Sequence, residues 1–322
     1  MAKGATSNLN QLIQLRHQAS ELSLLANKKA RSQLTGNITT QFRGRGLDFE
    51  ELRQYQAGDD IRSIDWRVTA RTGKAHTKLY SEERERPVII VNDQRQAMAF
   101  GSRHCFKSVQ ATAIAALLSW SALAQNDRIG GLIFNDSDHT EIKPKRHKSS
   151  VLSILRASHE YNHKAVEFKQ TDQPKKINTV LKELRQTVKP GSNVFIISDF
   201  IGLNETGVKH LYSLKKHVDI TAIKISDPLE ETLPSHAGTQ YTNGEKEIVF
   251  DPSHQHLAKQ FRQQFLSHND FITSNLQKLG IIQINIKTND CEFDILRQFF
   301  SRQACKRPLL LIDDQPVYES IK

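Results

Sequence analysis

Three aspartates sit where a strand should end and a loop begin. "PVIIVNDQRQAMAFG" at 87–101 runs four apolar residues into Asp93, "VFIISDF" delivers Asp199, and "ITAIKISDP" delivers Asp227. Carboxylates gathered on one rim can hold a hard divalent cation, which wants oxygen ligands, or share protons as general acid and base. Either use needs hydroxyls or further acids alongside. After Asp93 the chain supplies Gln94, Arg95, Gln96 and Ala97 instead. Aspartate is also a common cap and turn former after a strand, so position alone leaves structural use open.

The elements that would position these acids follow from hydrophobic pattern. Short β-branched runs predict strands at 88–92, 129–134, 194–198, 218–225 and 281–286; longer periodic stretches predict helices at 103–125, 148–158, 175–187, 204–217 and 254–279. Such alternation gives an α/β fold, a doubly wound, mostly parallel sheet with helices on both faces. Ligands of such sheets bind outside the carboxyl ends of the strands, where the three acids fall. Residues 1–36 form an amphipathic helix from about residue 7 to 33, capped by Ser7 or Asn8 and ended by Gly36. Residues 37–86 are an irregular, β-containing subdomain, 87–288 the α/β domain with a hairpin at 236–250 turning on Asn243-Gly244, and 289–322 a C-terminal extension.

The densest pattern is "GLDFEELRQYQAGDDIRSIDWRVTARTG" at 46–73, where acids alternate with arginines around Tyr55 and Trp66. Arg62, Asp65 and Trp66 suggest a guanidinium forked onto a carboxylate and stacked on an aromatic ring. No phosphate-cradling glycine loop accompanies them, so an ion-pair lattice explains the stretch better than a nucleotide site.

This stretch resembles the signature of domain-of-unknown-function family 58, roughly F-x-x-L-R-x-Y-x-x-G-D-D-x-R-x-I-D-W-x-x-x-A-R. The matching residues are Phe49, Leu52, Arg53, Tyr55, Gly58, Asp59, Asp60, Arg62, Ile64, Asp65, Trp66, Ala70 and Arg71. The likeness continues through "NDRIGGLIF", "ISDF" and "SDPLEETLP" to about residue 235. It implies a fold of von Willebrand factor A type and occurrence beside MoxR-type AAA+ ATPases and other von Willebrand-type proteins. It also implies a role as adaptor in assembly or activation of proteins, without enzymatic activity.

Domains of that type often carry a metal-ion-dependent adhesion site: Asp-x-Ser-x-Ser after the first strand, a distant Thr, and an Asp after the fourth. Aligned on Met98, Asp93 takes the first position, but Arg95 and Ala97 stand where the hydroxyls belong; Asp199 takes the last, and Lys175 falls at the Thr, with Thr171 nearby. Only Asp93 and Asp199 remain as candidate Mg²⁺ ligands. The expectation is a degenerate site in which these two pair with Arg95 or Lys175, no cofactor is bound, and the rim of Asp93, Asp199 and Asp227 receives a protein.

A formal charge of +10 keeps nucleic acid open as an alternative partner, although no recognition motif or aromatic platform accompanies it. A metal-dependent hydrolase using the same acids is the other alternative; there is no G-x-S-x-G elbow. "KPKRHK" at 143–148 reads as a solvated loop, Trp120 as core, Cys105 as a small apolar residue, and His254 and His256 as helix-start residues. Three unpaired cysteines, no signal-type N-terminus and no apolar run near 20 residues point to a cytoplasmic protein without a membrane span.

Overall fold

Val88-Ile89-Ile90-Val91 is β-branched throughout and buried along its whole length, as a strand covered on both faces must be. The computed structural model describes residues 2–22, 24, 47–56, 59–82, 86–167, 176–231, 239–242, 247–250 and 255–304. These divide into two compact units, Thr35–Glu85 and the remainder.

The larger unit begins with α1 (Leu9–Gln14) and α2 (Arg16–Ala19). The small unit holds β1 (Leu47–Gln54), α3 (Trp66–Thr72) and β2 (His76–Glu82). The larger unit resumes with β3 (Val88–Asp93), α4 (Lys107–Ala124), β4 (Ile129–Phe134), β5 (His139–Lys145), α5 (Lys148–Val166) and α6 (Ile177–Thr187). It continues through β6 (Asn193–Ser198), α7 (Glu205–Lys215), β7 (Asp219–Ser226) and α8 (Pro228–Glu231). A hairpin of β8 (Thr239–Thr242) and β9 (Glu247–Phe250) follows, then α9 (Gln255–Lys278), β10 (Ile282–Lys287) and α10 (Glu292–Ala304).

The main sheet has the order β10-β7-β6-β3-β4-β5, with only β5 antiparallel to its neighbour. Counting its six strands along the chain, this is the doubly wound order 3-2-1-4-5-6. α4, α5 and α10 close one face over Ile90, Ile133, Phe195 and Ile223, and the N-terminal helices pack onto the same core through Leu12 and Ala19. α6, α7 and α9 close the other face over Val91, Leu132, Ile196 and Ile220. The α/β expectation is met, and the switch of strand order lies between β3 and β6.

Several local expectations differ. The N-terminal helix is not continuous: it breaks at Leu15 into α1 and α2, with Asn8 capping α1 by accepting from the Asn10 and Gln11 amides. The basic stretch from Lys143 is not a loop but the end of β5, an edge strand whose lysines face solvent while Ile142 packs inward. The C-terminal extension contains α10, whose Leu296 and Phe300 are core residues. Gly36, Gly58, Lys175, Thr171, Asn243-Gly244 and His254 lie outside the described residues. Among the described residues no helix is long and apolar enough to cross a membrane.

In the small unit the signature residues pair differently from the expected fork. Asp65 bonds to Lys78 at 3.1 Å and caps α3 by accepting from the Arg67 and Val68 amides, so its oxygens are committed away from Arg62. Arg53 takes Asp59 at 2.7 Å, Asp60 accepts from the Arg62 amide, and the Tyr55 amide bonds to Ala75. α3 ends at Gly73, whose φ of +69° is a left-handed C-cap. Trp66 is 66% exposed rather than sandwiched, and Arg71 in the last turn of α3 is exposed too.

Candidate functional site: an internal cation at the strand switch point

β3 and β6 end side by side, and the strand order reverses between them. Asp93 and Asp199 therefore open onto one crevice. Asp93 is fully buried, and its own loop supplies the countercharge: Arg95 Nη2 lies 2.7 Å from Oδ2, and Arg95 Nε lies 3.0 Å from Oδ1 and 3.1 Å from Oδ2. The Arg95 amide donates to Oδ1 at 3.0 Å, and the Ser198 hydroxyl to Oδ2 at 2.6 Å. Both carboxylate oxygens are thus occupied by directed donors. A forked guanidinium–carboxylate contact is the strong, geometrically specific form of ion pair.

Arg95 also ties the two acids together. Its Nη2 stands 3.6 Å from Asp199 Oδ1, its Nη1 donates to the Ile201 carbonyl at 3.2 Å, and Phe134 covers its guanidinium at 5.9 Å. Burial alone would strip a proton from such a group, but Asp93 and Asp199 hold its pKa above the usual arginine value.

Asp199 has a second cation, Lys107, at 2.8 Å. Lys107 opens α4 and is fully buried, at the positive end of a helix dipole where a cation is unfavourable. Only strong partners make that arrangement tolerable, and they are Asp199 and, at 2.5 Å, Glu230 of α8. Burial opposes the charge on Lys107, yet these two acids raise its pKa above the ordinary lysine value. Burial would likewise raise Asp199, but Lys107 and Arg95 hold its carboxyl below the normal range. The cluster is a chain of alternating charge, Asp93–Arg95–Asp199–Lys107–Glu230, drawn from β3, its loop, β6, α4 and α8.

Asp227 belongs to a neighbouring knot rather than to this chain. Its carboxylate accepts from the Ser102 amide at 2.9 Å, the Leu229 amide at 2.9 Å and the Thr288 hydroxyl at 2.5 Å. Burial raises its pKa, while Thr288 and Ser102 pull it below the ordinary value. It meets the cluster through Glu230, whose second oxygen accepts from the Asp227 amide at 2.9 Å. Ala97 is exposed on the short turn Gln96–Met98, whose first amide bonds to Asp136 at 2.6 Å.

Behind the rim, Asn92 and Gln94 point to the opposite face and join Ser108, Thr112, Ser158 and Asn162 in a buried, hydrogen-bonded network. The sequence reading did not single out Lys107, Glu230 or this network. The one available signal for Lys107 was a lone charge opening the otherwise uncharged helix "KSVQATAIAALLSWSALA".

A divalent cation needs several free oxygens in a tight shell. Arg95 and Ser198 already use those of Asp93, and Lys107 and the Ile201 amide those of Asp199. Among the described residues no group of three or more His, Cys, Asp or Glu is arranged to hold a metal ion.

The family described as "Protein of unknown function DUF58" matches residues 51–270, from β1 in the small unit to α9. The chain belongs to this family. Among DUF58-like relatives are uncharacterized proteins of Mycobacterium tuberculosis and Mycobacterium bovis, each 26% identical over 288 residues and covering 88% of both chains. Solved structures resembling this DUF58 protein include the conserved hypothetical protein BatB of Bacteroides thetaiotaomicron, 13% identical, covering 68% of this chain and 98% of that one at a TM-score of 0.41. A von Willebrand factor type A protein of Catenulispora acidiphila is 12% identical and covers 83% and 52% at a TM-score of 0.38.

Proposed function

We propose that this DUF58 protein is a non-catalytic protein-interaction module of the cytoplasm, and that its rim is a degenerate metal-ion-dependent adhesion site working without a cofactor. The observation that carries the reading is Arg95, which stands two residues after Asp93 and reaches both Asp93 and Asp199. A positive charge held between two carboxylates does the electrostatic work an ion would do, and it repels Mg²⁺ from the same place. Its N–H groups are turned inward to Asp93, Asp199 and the Ile201 carbonyl, which supports a role in balancing the charge of the rim. What the rim offers a partner is surface: Ile201, 43% exposed, the turn at Gln96-Ala97, and Asp136. The partner is a MoxR-type AAA+ ATPase or another von Willebrand-type protein, a reading supported by the signature resemblance rather than by geometry.

Affinity capture from the native cytoplasm, with and without ATP, tests it. The expected result is recovery of an AAA+ ATPase that Ile201→Asp abolishes. Recovery of none under either condition overturns the partner. Calorimetric Mg²⁺ or Mn²⁺ binding in the micromolar range, lost in Asp93→Ala, overturns the degenerate site.

A further inference from the structure

Next to the charge chain, on its α9 side, lies a cavity of about 400 Å³ lined by Asp199, Ile201, Lys224, Glu230, Phe265 and His268, among others. Its unusual member is Lys224. This side chain points from β7 and is 8% exposed, yet among the described residues it forms no ion pair. Asn269 Oδ1 accepts one hydrogen bond from its Nζ, and the Phe265 ring lies 5.9 Å away. An ammonium has three N–H donors, so two remain for whatever enters the cavity. His268 adds to this: its Nε2 is shielded from solvent and has no hydrogen-bond partner, and in the Nε2–H tautomer it is a further donor. The two acids on the wall offer a ligand little, because Lys107 with the Ile201 amide satisfies Asp199, and Lys107 with the Asp227 amide satisfies Glu230. The apolar part of the wall comes from Ile201 and Phe265, and Ser226, Gln264 and Asn269 complete the lining.

Unused donors beside an apolar wall define a complementary ligand: an acceptor-only anionic head on a branched hydrocarbon body. We propose that the Lys224–His268 cavity binds a carboxylate carried on an apolar group, with Lys224 and His268 as its donors and Ile201 and Phe265 holding the hydrocarbon. The depressed pKa of Lys224, caused by burial and only partly offset by Glu230 and Asp199, fits a cation short of a close countercharge. The shared chemistry has two sources, a free small carboxylic acid or the C-terminal residue of a protein. The cavity goes beyond the reading of the rim as a docking surface: loss of carboxylate binding leaves that reading standing, and loss of ATPase capture leaves this one standing.

The test titrates the full chain by calorimetry and saturation-transfer NMR with 4-methylpentanoate, 4-methylpentanamide, and a tripeptide ending in leucine as free acid or amide. The expected result is saturable binding of a carboxylate, at least about tenfold tighter than its amide, because a charge-assisted hydrogen bond is lost with the charge. Lys224→Met and His268→Phe should each weaken it, the former by about tenfold or more, while Lys216→Met on the exposed end of α7 leaves it unchanged. Lys224→Met places an apolar chain where a charge was buried, so the variant stays folded, checked by circular dichroism. Tighter binding of the free acid or of the peptide identifies the source. Equal affinity for acid and amide, no binding at tens of millimolar, or binding indifferent to Lys224→Met overturns the proposal.

Discussion

Replacing Arg95 by methionine is the sharpest test of what holds the rim together. In the folded protein Asp93 is fully buried and receives two-point contact from Arg95, plus the residue-95 amide and the Ser198 hydroxyl. Methionine removes the guanidinium but keeps the amide and the hydroxyl, so the carboxylate stays hydrogen-bonded while losing its countercharge. Breaking a buried pair on one side costs about 3–5 kcal/mol. Two surviving donors put the expectation at the lower end, about 3 kcal/mol. For a unit of this size each kcal/mol moves Tm by roughly 2–4 °C, which makes a fall of about 6–12 °C. Denaturant unfolding of Arg95→Met, Asp93→Asn and the double variant closes a cycle. The double variant should be less destabilised than the sum of the singles by about 1–3 kcal/mol, because the second change no longer breaks a pair. An Arg95→Met variant within about 0.5 kcal/mol of the parent would refute the reasoning, since that is the scatter of inconsequential surface changes.

Other outcomes follow from the same geometry. Asp199 and Asp227 have folded pKa values held below the ordinary 3.8, so the stability they contribute is present above 3.8 and lost as pH falls below it through the folded values; melting at pH 7 and pH 3 should show the onset of the loss, and an unchanged Tm would exclude it. Cys105 is buried, donates weakly to the Thr288 carbonyl, and burial pushes its thiol up to about 12. It should therefore resist alkylation at pH 8 until the protein unfolds, as read by mass spectrometry. Trp120 is buried and donates to the Leu12 carbonyl at 3.1 Å, whereas Trp66 is exposed. Trp66→Phe should leave blue-shifted emission, and Trp120→Phe should cost about 0.5–1.5 kcal/mol from the lost bond to the N-terminal helix.

Much of the scaffold was legible because a doubly covered sheet writes itself as apolar runs rich in β-branched residues, as at 88–91, 129–134 and 194–197. β5 escaped because an exposed edge strand carrying Pro144 and lysines has the composition of a loop, which is how edges avoid pairing with other chains. Arg95 was legible as part of the site because it lies two residues from Asp93. Lys107 was not, since its partners Asp199 and Glu230 stand 92 and 123 residues away. Burial of a lysine leaves no local pattern; it is decided by which loops the topology brings to one rim. The Arg62–Asp65 fork failed for the converse reason. Proximity in sequence suggested it, but Asp65 at a helix start finds two amides and a cross-strand lysine first.

The Asp93–Arg95 pair has one more consequence. A diffusible ion occupies a site according to its concentration and its competitors, so a rim built on one is loaded or empty with the state of the medium. Arg95 is joined to its carboxylate by two peptide bonds and keeps its charge at every physiological pH. Chelators cannot withdraw it, dilution cannot unload it, and no other cation can be exchanged for it. The loop after β3 is therefore permanently in one charge state, and any switching of this rim has to come from a change in what binds it or from movement of the elements that carry the acids.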